Sequence, residues 1–302
     1  MVRLFAALLL PAAVPAILTA LIWALPGDPA EIICPRASCE ATDALAARWH
    51  LDEGPWGFYT HWGRAALAGD FGMSWRVLQG VPVSEMLAGA VPMTLVLLAA
   101  ALLPVLAGAV GAGSGFLPRR ADGSLHVAGL VPAVIFSLFF AAVIALRFGG
   151  NSFGEEATLW RLVFGAIVLS VADGALAGAV GGVRALFRTE RKQRYVQIAA
   201  LRGEGMLENV LPNVAAALAG QLRARVLHLV SGLVVVEVVL KIDGLGDLLW
   251  SGTLKQDFGV VLAAATGFAA VSAALLLAQA MLEIAVALHI RRAPRVAAAV
   301  SA

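Results

Sequence analysis

Few groups in this sequence can do chemistry, and most of them sit inside apolar runs. Asp173, Arg223, Arg225 and Glu237 are ionisable residues in stretches otherwise made mainly of Val, Leu, Ala and Gly. A charge held in hydrocarbon costs at least about 2.5–3.5 kcal/mol, so it normally has a partner or lines a pathway. Arg223 and Arg225 are two residues apart, so on a helix they point about 200° from one another. They cannot both line one pathway at one height. One arrangement has one arginine reaching Asp173 or Glu283 inside a bundle while the other extends its stem toward water. Two readings stay open: a structural ion pair, or a pathway that recognises an anionic group such as a substrate carboxylate. His228 reads as an interior histidine. With Ser231 it shares one helix at i, i+3 and has no third group to orient a base, so no serine hydrolase is expected. There is no G-x-x-x-x-G-K-[ST] phosphate loop, no H-E-x-x-H pair and no G-x-S-x-G elbow. The chain is expected to be no enzyme and to hold no cofactor or metal of its own. Cys34 and Cys39 form a C-x4-C pair around Pro35, without a nearby histidine pair that would make a metal site. A disulfide or two free thiols both fit, and a bridge requires the two Cα atoms within about 7 Å.

The elements that must position these groups are membrane helices. Of 302 residues, 60% are hydrophobic and 14% charged, against roughly 45–50% and about 25% in ordinary soluble domains. Mean hydropathy is +0.86. Apolar surface on this scale needs lipid as its solvent. A net charge of +2, with no basic face, argues against a nucleic-acid partner. Six uncharged or nearly uncharged runs are long enough to cross about 30 Å of hydrocarbon as helices: Leu4 to Gly27, Met86 to Pro118, Val127 to Leu146, Leu162 to Val183, Val214 to Leu240 and Phe258 to Leu282. The first is too long for the apolar core of a signal peptide and reads as an uncleaved anchor. Continuous rather than alternating apolar runs exclude a β-barrel. The expected fold is all-α, with six transmembrane helices in one domain over 1–302.

Lys and Arg near the span ends set the orientation. Arg119 and Arg120, the cluster Arg184, Arg188, Arg191, Lys192, Arg194 and Arg202, and the tail Arg291, Arg292 and Arg295 all fall on one side. That side is expected to be cytoplasmic and to hold both termini. Residues 28–85 then form an external segment rich in tryptophan, which either lies along the headgroups or packs as an aromatic cap. Residues 184–212 form a basic cytoplasmic loop. Within it Tyr195 to Leu201 reads as a short helix stopped at Gly203, and Leu211-Pro212-Asn213 reads as a second stop. A short helix and a glycine between two spans is either an ordinary basic loop or a docking element.

Ordered motifs bear on that choice. They run Pro26-Gly27-Asp28-Pro29, then Trp49-His50-Leu51-Asp52-Glu53-Gly54-Pro55, Tyr59 and Trp62. Gly69-Asp70-Phe71-Gly72-Met73-Ser74, Val81-Pro82-Val83 and Val91-Pro92-Met93-Thr94-Leu95 follow. Glu237, Gly244-Leu245-Gly246 and Asp257-Phe258 close the series. In this order they resemble the permease subunits of ABC importers for dipeptides, oligopeptides and nickel, specifically the first of the two paired permeases, over nearly the whole chain. The resemblance implies a type I permease fold in a bacterial inner membrane. It implies a sister permease as heterodimer partner, two cytoplasmic ATP-binding subunits that hydrolyse ATP, and an extracytoplasmic solute-binding protein. It places the ATPase-coupling helix at Tyr195 to Gly203, with Tyr195, Val196, Ala199, Ala200, Arg202 and Gly203 as coupling residues. Gly244, Gly246 and Asp257 become the outer gate.

Some positions depart from the family pattern. The coupling segment reads Ala199-Ala200-Leu201 where an Ala-Arg-Ala is usual, and the stretch from Gly203 to Asn213 is about four residues short, roughly one helical turn. Asp243 replaces a proline. These departures motivate an alternative function, a permease that no longer transports and serves as an assembly or scaffold subunit. A self-contained secondary transporter would carry inverted internal repeats, and none is evident between 1–150 and 151–302.

Overall fold

In a computed structural model the described residues are 2–33, 42–149 and 154–292. The Cys34/Cys39 pair falls outside them. The described chain is helical, with one isolated bridge between Met73 and Pro82. Its helices are α1 (Val2–Ala24), α2 (Pro29–Ile33), α3 (Thr42–Arg48), α4 (Gly54–Leu67), α5 (Val83–Ser114), α6 (Ala121–Ala128) and α7 (Ala133–Phe148). They continue with α8 (Glu155–Val171), α9 (Ala175–Glu190), α10 (Arg194–Leu201), α11 (Met206–Leu240), α12 (Leu245–Leu254) and α13 (Phe258–Arg292).

The all-α expectation holds, but the spans are less uniform than six apolar rods. Among the described residues α1, α5, the α8–α9 pair and α13 are long and apolar enough to cross a membrane, and the bent α6–α7 pair makes a fifth. Helix α11 is 35 residues long, but Arg223, Arg225 and Glu237 interrupt its apolar run. The third span was expected from Val127. Instead α6 and α7 meet at 86°, because Pro132 cannot donate within a helix and disfavours the helical region for Val131. The fourth span was expected to be continuous through Asp173. It breaks there into α8 and α9, with Asp173 at φ 51 and Gly174 at φ +78.

Asp173 is therefore no mid-helix charge. It is exposed, its N–H donates to the Val131 carbonyl at 3.3 Å, and its carboxylate accepts from the Ala133 N–H, the first residue of α7, at 3.4 Å. An anion there satisfies an orphan donor and complements the positive end of the helix. The two breaks touch: a Cβ on Gly129 would lie 2.8 Å from the Gly174 Cα. The stop expected at Pro212 is also absent, since α11 runs through it.

Helix α1 packs along α13, α5 packs on α8 and α9, and α11 sits centrally against α7, α8, α9, α12 and α13. The main core joins Leu97, Leu98 and Val105 of α5 to Val168 and Leu169 of α8 and Leu229, Leu233 and Val236 of α11. At one end of the bundle, Ala30, Leu45, Leu51 and Phe58 pack with Trp23, Trp49, Trp62 and Trp75 over Leu262 and Phe258 of α13. The described residues of this segment, 28–33 and 42–82, thus form an aromatic cap, the second of the two readings open for it. Trp56 alone of its tryptophans is largely exposed, at 74%. At the other end, Ala112, Val180, Val183 and Phe187 pack with Val196, Val210 and Val214.

The Gly129–Gly174 crossing is testable. Gly129→Ala should push α6 from the α8–α9 break and cost about 1–3 kcal/mol, lowering the apparent unfolding midpoint in detergent. Gly123→Ala, where an added Cβ meets open space, should not.

Candidate functional site

Two groups of side chains at opposite ends of the bundle carry the features expected of a transport subunit. At the cap end, Glu237 of α11 is fully buried. Its carboxylate accepts from the Thr94 hydroxyl at 2.7 Å and from the Gly246 N–H at 2.5 Å. The Thr94 oxygen in turn accepts the Leu245 N–H at 2.8 Å. The start of α12 is therefore capped by a side chain from α11 and another from α5. A helix N-terminus presents unpaired donors and a partial positive charge, so a carboxylate is the fitting cap. The glycines follow from the same geometry. A Cβ on Gly244 would collide with the Glu237 carboxylate, and one on Gly246 would lie 2.6 Å from the Val234 Cα and 2.8 Å from Glu237 Oε2. Their spacing serves close approach of α12 to α11.

Asp257, immediately before α13, repeats the device. It is 1% exposed. Its Oδ2 accepts from the Ser74 hydroxyl at 2.7 Å and from the N–H groups of Trp75 at 2.9 Å, Arg76 at 3.0 Å and Val77 at 3.2 Å. Oδ1 faces the Val260 N–H at 3.3 Å. Arg76 reaches back to the Lys255 carbonyl, the Gln256 side chain and the Ile32 carbonyl. This latch fixes the cap to the α12–α13 turn.

Helix α10 occupies the opposite end. Gln193 enters it with extended backbone, and Gly203 leaves it at φ +76, where only glycine is at ease. Val196 is buried in the core cluster of this end, and Ala199 is buried as well. Two residues expected to contact a partner therefore anchor α10 to the bundle, because an eight-residue amphipathic helix must bury its apolar face. Tyr195, Ala200, Arg202 and Gly203 are exposed. The Tyr195 hydroxyl donates to Glu190 at the end of α9 and accepts from the Asn213 amide in α11 at 2.8 Å. Burial pushes that hydroxyl upward from its ordinary pKa, and the bond to Glu190 adds to the rise, so it remains a protonated donor. Ile198, 49% exposed, and Leu201, 88% exposed, form an outward apolar stripe that reading the sequence did not single out. Its signal was the i, i+3 spacing opposite Val196 and Ala199.

Glu237, Gly244, Gly246, Asp257 and α10 all lie within the stretch that one known family matches. The sequence profile of the binding-protein-dependent transport system inner membrane component family covers residues 105–292. The chain belongs to this family. It is similar to the oligopeptide transport system permease protein AppB of Bacillus subtilis, 25% identical over 264 residues, covering 80% of this chain and 82% of the relative. It is also similar to the glutathione transport system permease protein GsiC of Escherichia coli strain K12, 26% identical over 259 residues, covering 78% and 80%. GsiC of Shigella flexneri matches at the same level. As an ABC importer permease the chain is a multi-pass membrane protein that works with other subunits, and the family is one of permeases rather than enzymes.

Within this permease the interior arginines separate. Arg225 lies with Gln221 in a cavity of about 580 Å³ between α5, α9, α11 and α13. Its guanidinium occupies the space where a Cβ on Gly178 would stand. Its Nε is buried without a hydrogen-bond partner among the described residues. Arg223 lines a different, smaller cavity of about 200 Å³ with Gln279 of α13. Glu237, grouped with these charges from the sequence, caps α12.

The latch at Asp257 gives a direct test. Asp257→Ala strands several backbone donors at about 1 kcal/mol or more each. Trypsin cleavage after Arg76 should accelerate at least about tenfold, whereas Asp70→Ala, which removes one exposed bond to the Gly72 N–H, should change it little.

Proposed function

We propose that this permease forms half of the translocation pathway of an ATP-driven importer for peptides or similar small solutes, nickel chelates included, in a bacterial inner membrane. A sister permease supplies the other half. Two cytoplasmic ATP-binding subunits hydrolyse ATP and dock on α10. An extracytoplasmic solute-binding protein meets the cap of residues 28–85. Both termini lie in the cytoplasm.

The observation that carries this reading is the construction of α10. Its inner face is buried, its first turn is tied to α9 and α11 through Tyr195, and its outer face offers Ile198 and Leu201 to a partner. A partner pressing on that face moves two membrane helices as a rigid body. Basic residues crowd the same end, among them Arg184, Arg188, Arg191, Lys192 and Arg194, which supports a cytoplasmic setting. At the cap end, Gly244, Gly246 and Asp257 belong to the outer gate, with α12 hinged between Glu237 and the Asp257 latch. The Arg225 cavity is the stretch of pathway suited to an anionic group such as a peptide carboxylate. The oligopeptide and glutathione systems named for the relatives are consistent with such cargo.

Leu201→Asp should leave membrane insertion and the unfolding midpoint unchanged, because the side chain touches little of the bundle. Transport and solute-stimulated ATPase activity of the assembled complex should fall at least about tenfold. Unimpaired transport in that variant would refute docking at α10. Stimulated ATPase activity without any uptake in the unaltered complex would favour the scaffold reading.

A further inference from the structure

Three side chains unused by the transport reading meet in the cap. Glu53 lies between two histidines: its Oε1 is 2.8 Å from His50 Nδ1 and its Oε2 is 3.3 Å from His61 Nε2. The two imidazole rings stack with centroids 3.7 Å apart and planes within 9°. One ligand atom from each of the three residues falls within 4.8 Å of the others. Two local features hold the cluster. His50 has left-handed backbone, φ 55 and ψ 30, which fixes where its ring projects. A Cβ on Gly57 would collide with the Glu53 Cβ and lie 2.9 Å from Oε2, so the bare backbone there lets Glu53 fold over the first turn of α4. A cavity of about 480 Å³ adjoins His50 and His61, walled by Trp49, Phe58, Trp62 and Trp75.

Two imidazole nitrogens and one carboxylate are a borderline donor set. They suit Zn²⁺, Ni²⁺ or Cu²⁺ rather than Ca²⁺ or Mg²⁺, which prefer oxygen throughout. Protons on the histidine nitrogens now join the rings to the carboxylate. A dication would replace those protons and satisfy all three groups at once. Zn–N bonds of about 2.0–2.1 Å require donor atoms to close to roughly 3.4 Å in a tetrahedral shell. Parallel rings cannot both aim a lone pair at one ion, so one must turn. The His61 side chain is 42% exposed and has room to do so, leaving a fourth position for water.

We propose that His50, Glu53 and His61 bind one divalent transition-metal ion of the zinc class and that the ion pins the 51–53 turn to the middle of α4. The test is calorimetric titration of the full chain, purified in detergent without a metal-affinity tag, with Zn²⁺ against a competing chelator. One Zn²⁺ should bind per chain, and Ca²⁺ should not compete. His61→Ala, Glu53→Gln and His50→Asn should each weaken binding at least about tenfold, the asparagine being chosen because it tolerates left-handed backbone. Gly57→Ala should weaken it without removing a ligand, and His126→Ala should leave it unchanged. Zn²⁺ should raise the unfolding midpoint of the unaltered chain and not that of His61→Ala. Undiminished Zn²⁺ binding by the Glu53→Gln/His61→Ala double variant would overturn the proposal, as would no binding by the unaltered chain. Both substituted side chains are well exposed, so an unchanged midpoint without zinc separates a lost ligand from a lost fold.

Discussion

The first N–H groups of a helix have no acceptor inside it, and in an apolar bundle water is not at hand to supply one. The cap end of this permease is organised around that constraint. Helices α12 and α13 both begin there, and each start is answered by a buried carboxylate. Glu237 reaches α12 from α11, with Thr94 of α5 as intermediary. Asp257 stands before α13 and also gathers the donors of residues 74–77. Each carboxylate thus joins segments far apart in sequence, and a buried charge is tolerated because its hydrogen-bond sites are filled. The glycines at 244 and 246 are what close approach to these carboxylates demands.

The opposite end uses the other partition available to a short helix. Helix α10 is too short to be stable alone. It is held because Val196 joins a core shared with α5, α9 and α11, with Ala199 also buried, and because one phenol bridges α9 and α11. What is left outside is an apolar stripe on a basic surface. That asymmetry, anchored within and apolar without, is what the proposed coupling role of α10 rests on. Between the two ends, Arg225 and Gln221 place polar atoms in an otherwise apolar cavity.

The cap joins these parts to the remainder of the chain. Trp49, Trp62 and Trp75 join a packed cluster over α1 and α13, and residues 74–77 are fastened at Asp257. The same folding brings His61 to Glu53, eight positions earlier in sequence, and both to His50.

Composition and hydropathy by themselves dictated an all-helical membrane protein, since continuous apolar runs in lipid can satisfy their backbone only as helices. Helix α10 was legible too: an amphipathic octet with a glycine just beyond its end specifies a short helix and its left-handed exit. Other features were decided only in three dimensions. Whether Asp173 is a mid-span charge or a helix cap depends on a left-handed φ at the break where Gly174 meets Gly129, a contact between residues far apart in sequence and invisible to hydropathy. That Val196 and Ala199 face inward while Ile198 and Leu201 face outward depends on which neighbour covers the helix. Glu237 and Asp257 look alike in sequence to any acid near a span end. Their roles come from distant N–H groups that only the packed bundle brings within hydrogen-bond reach.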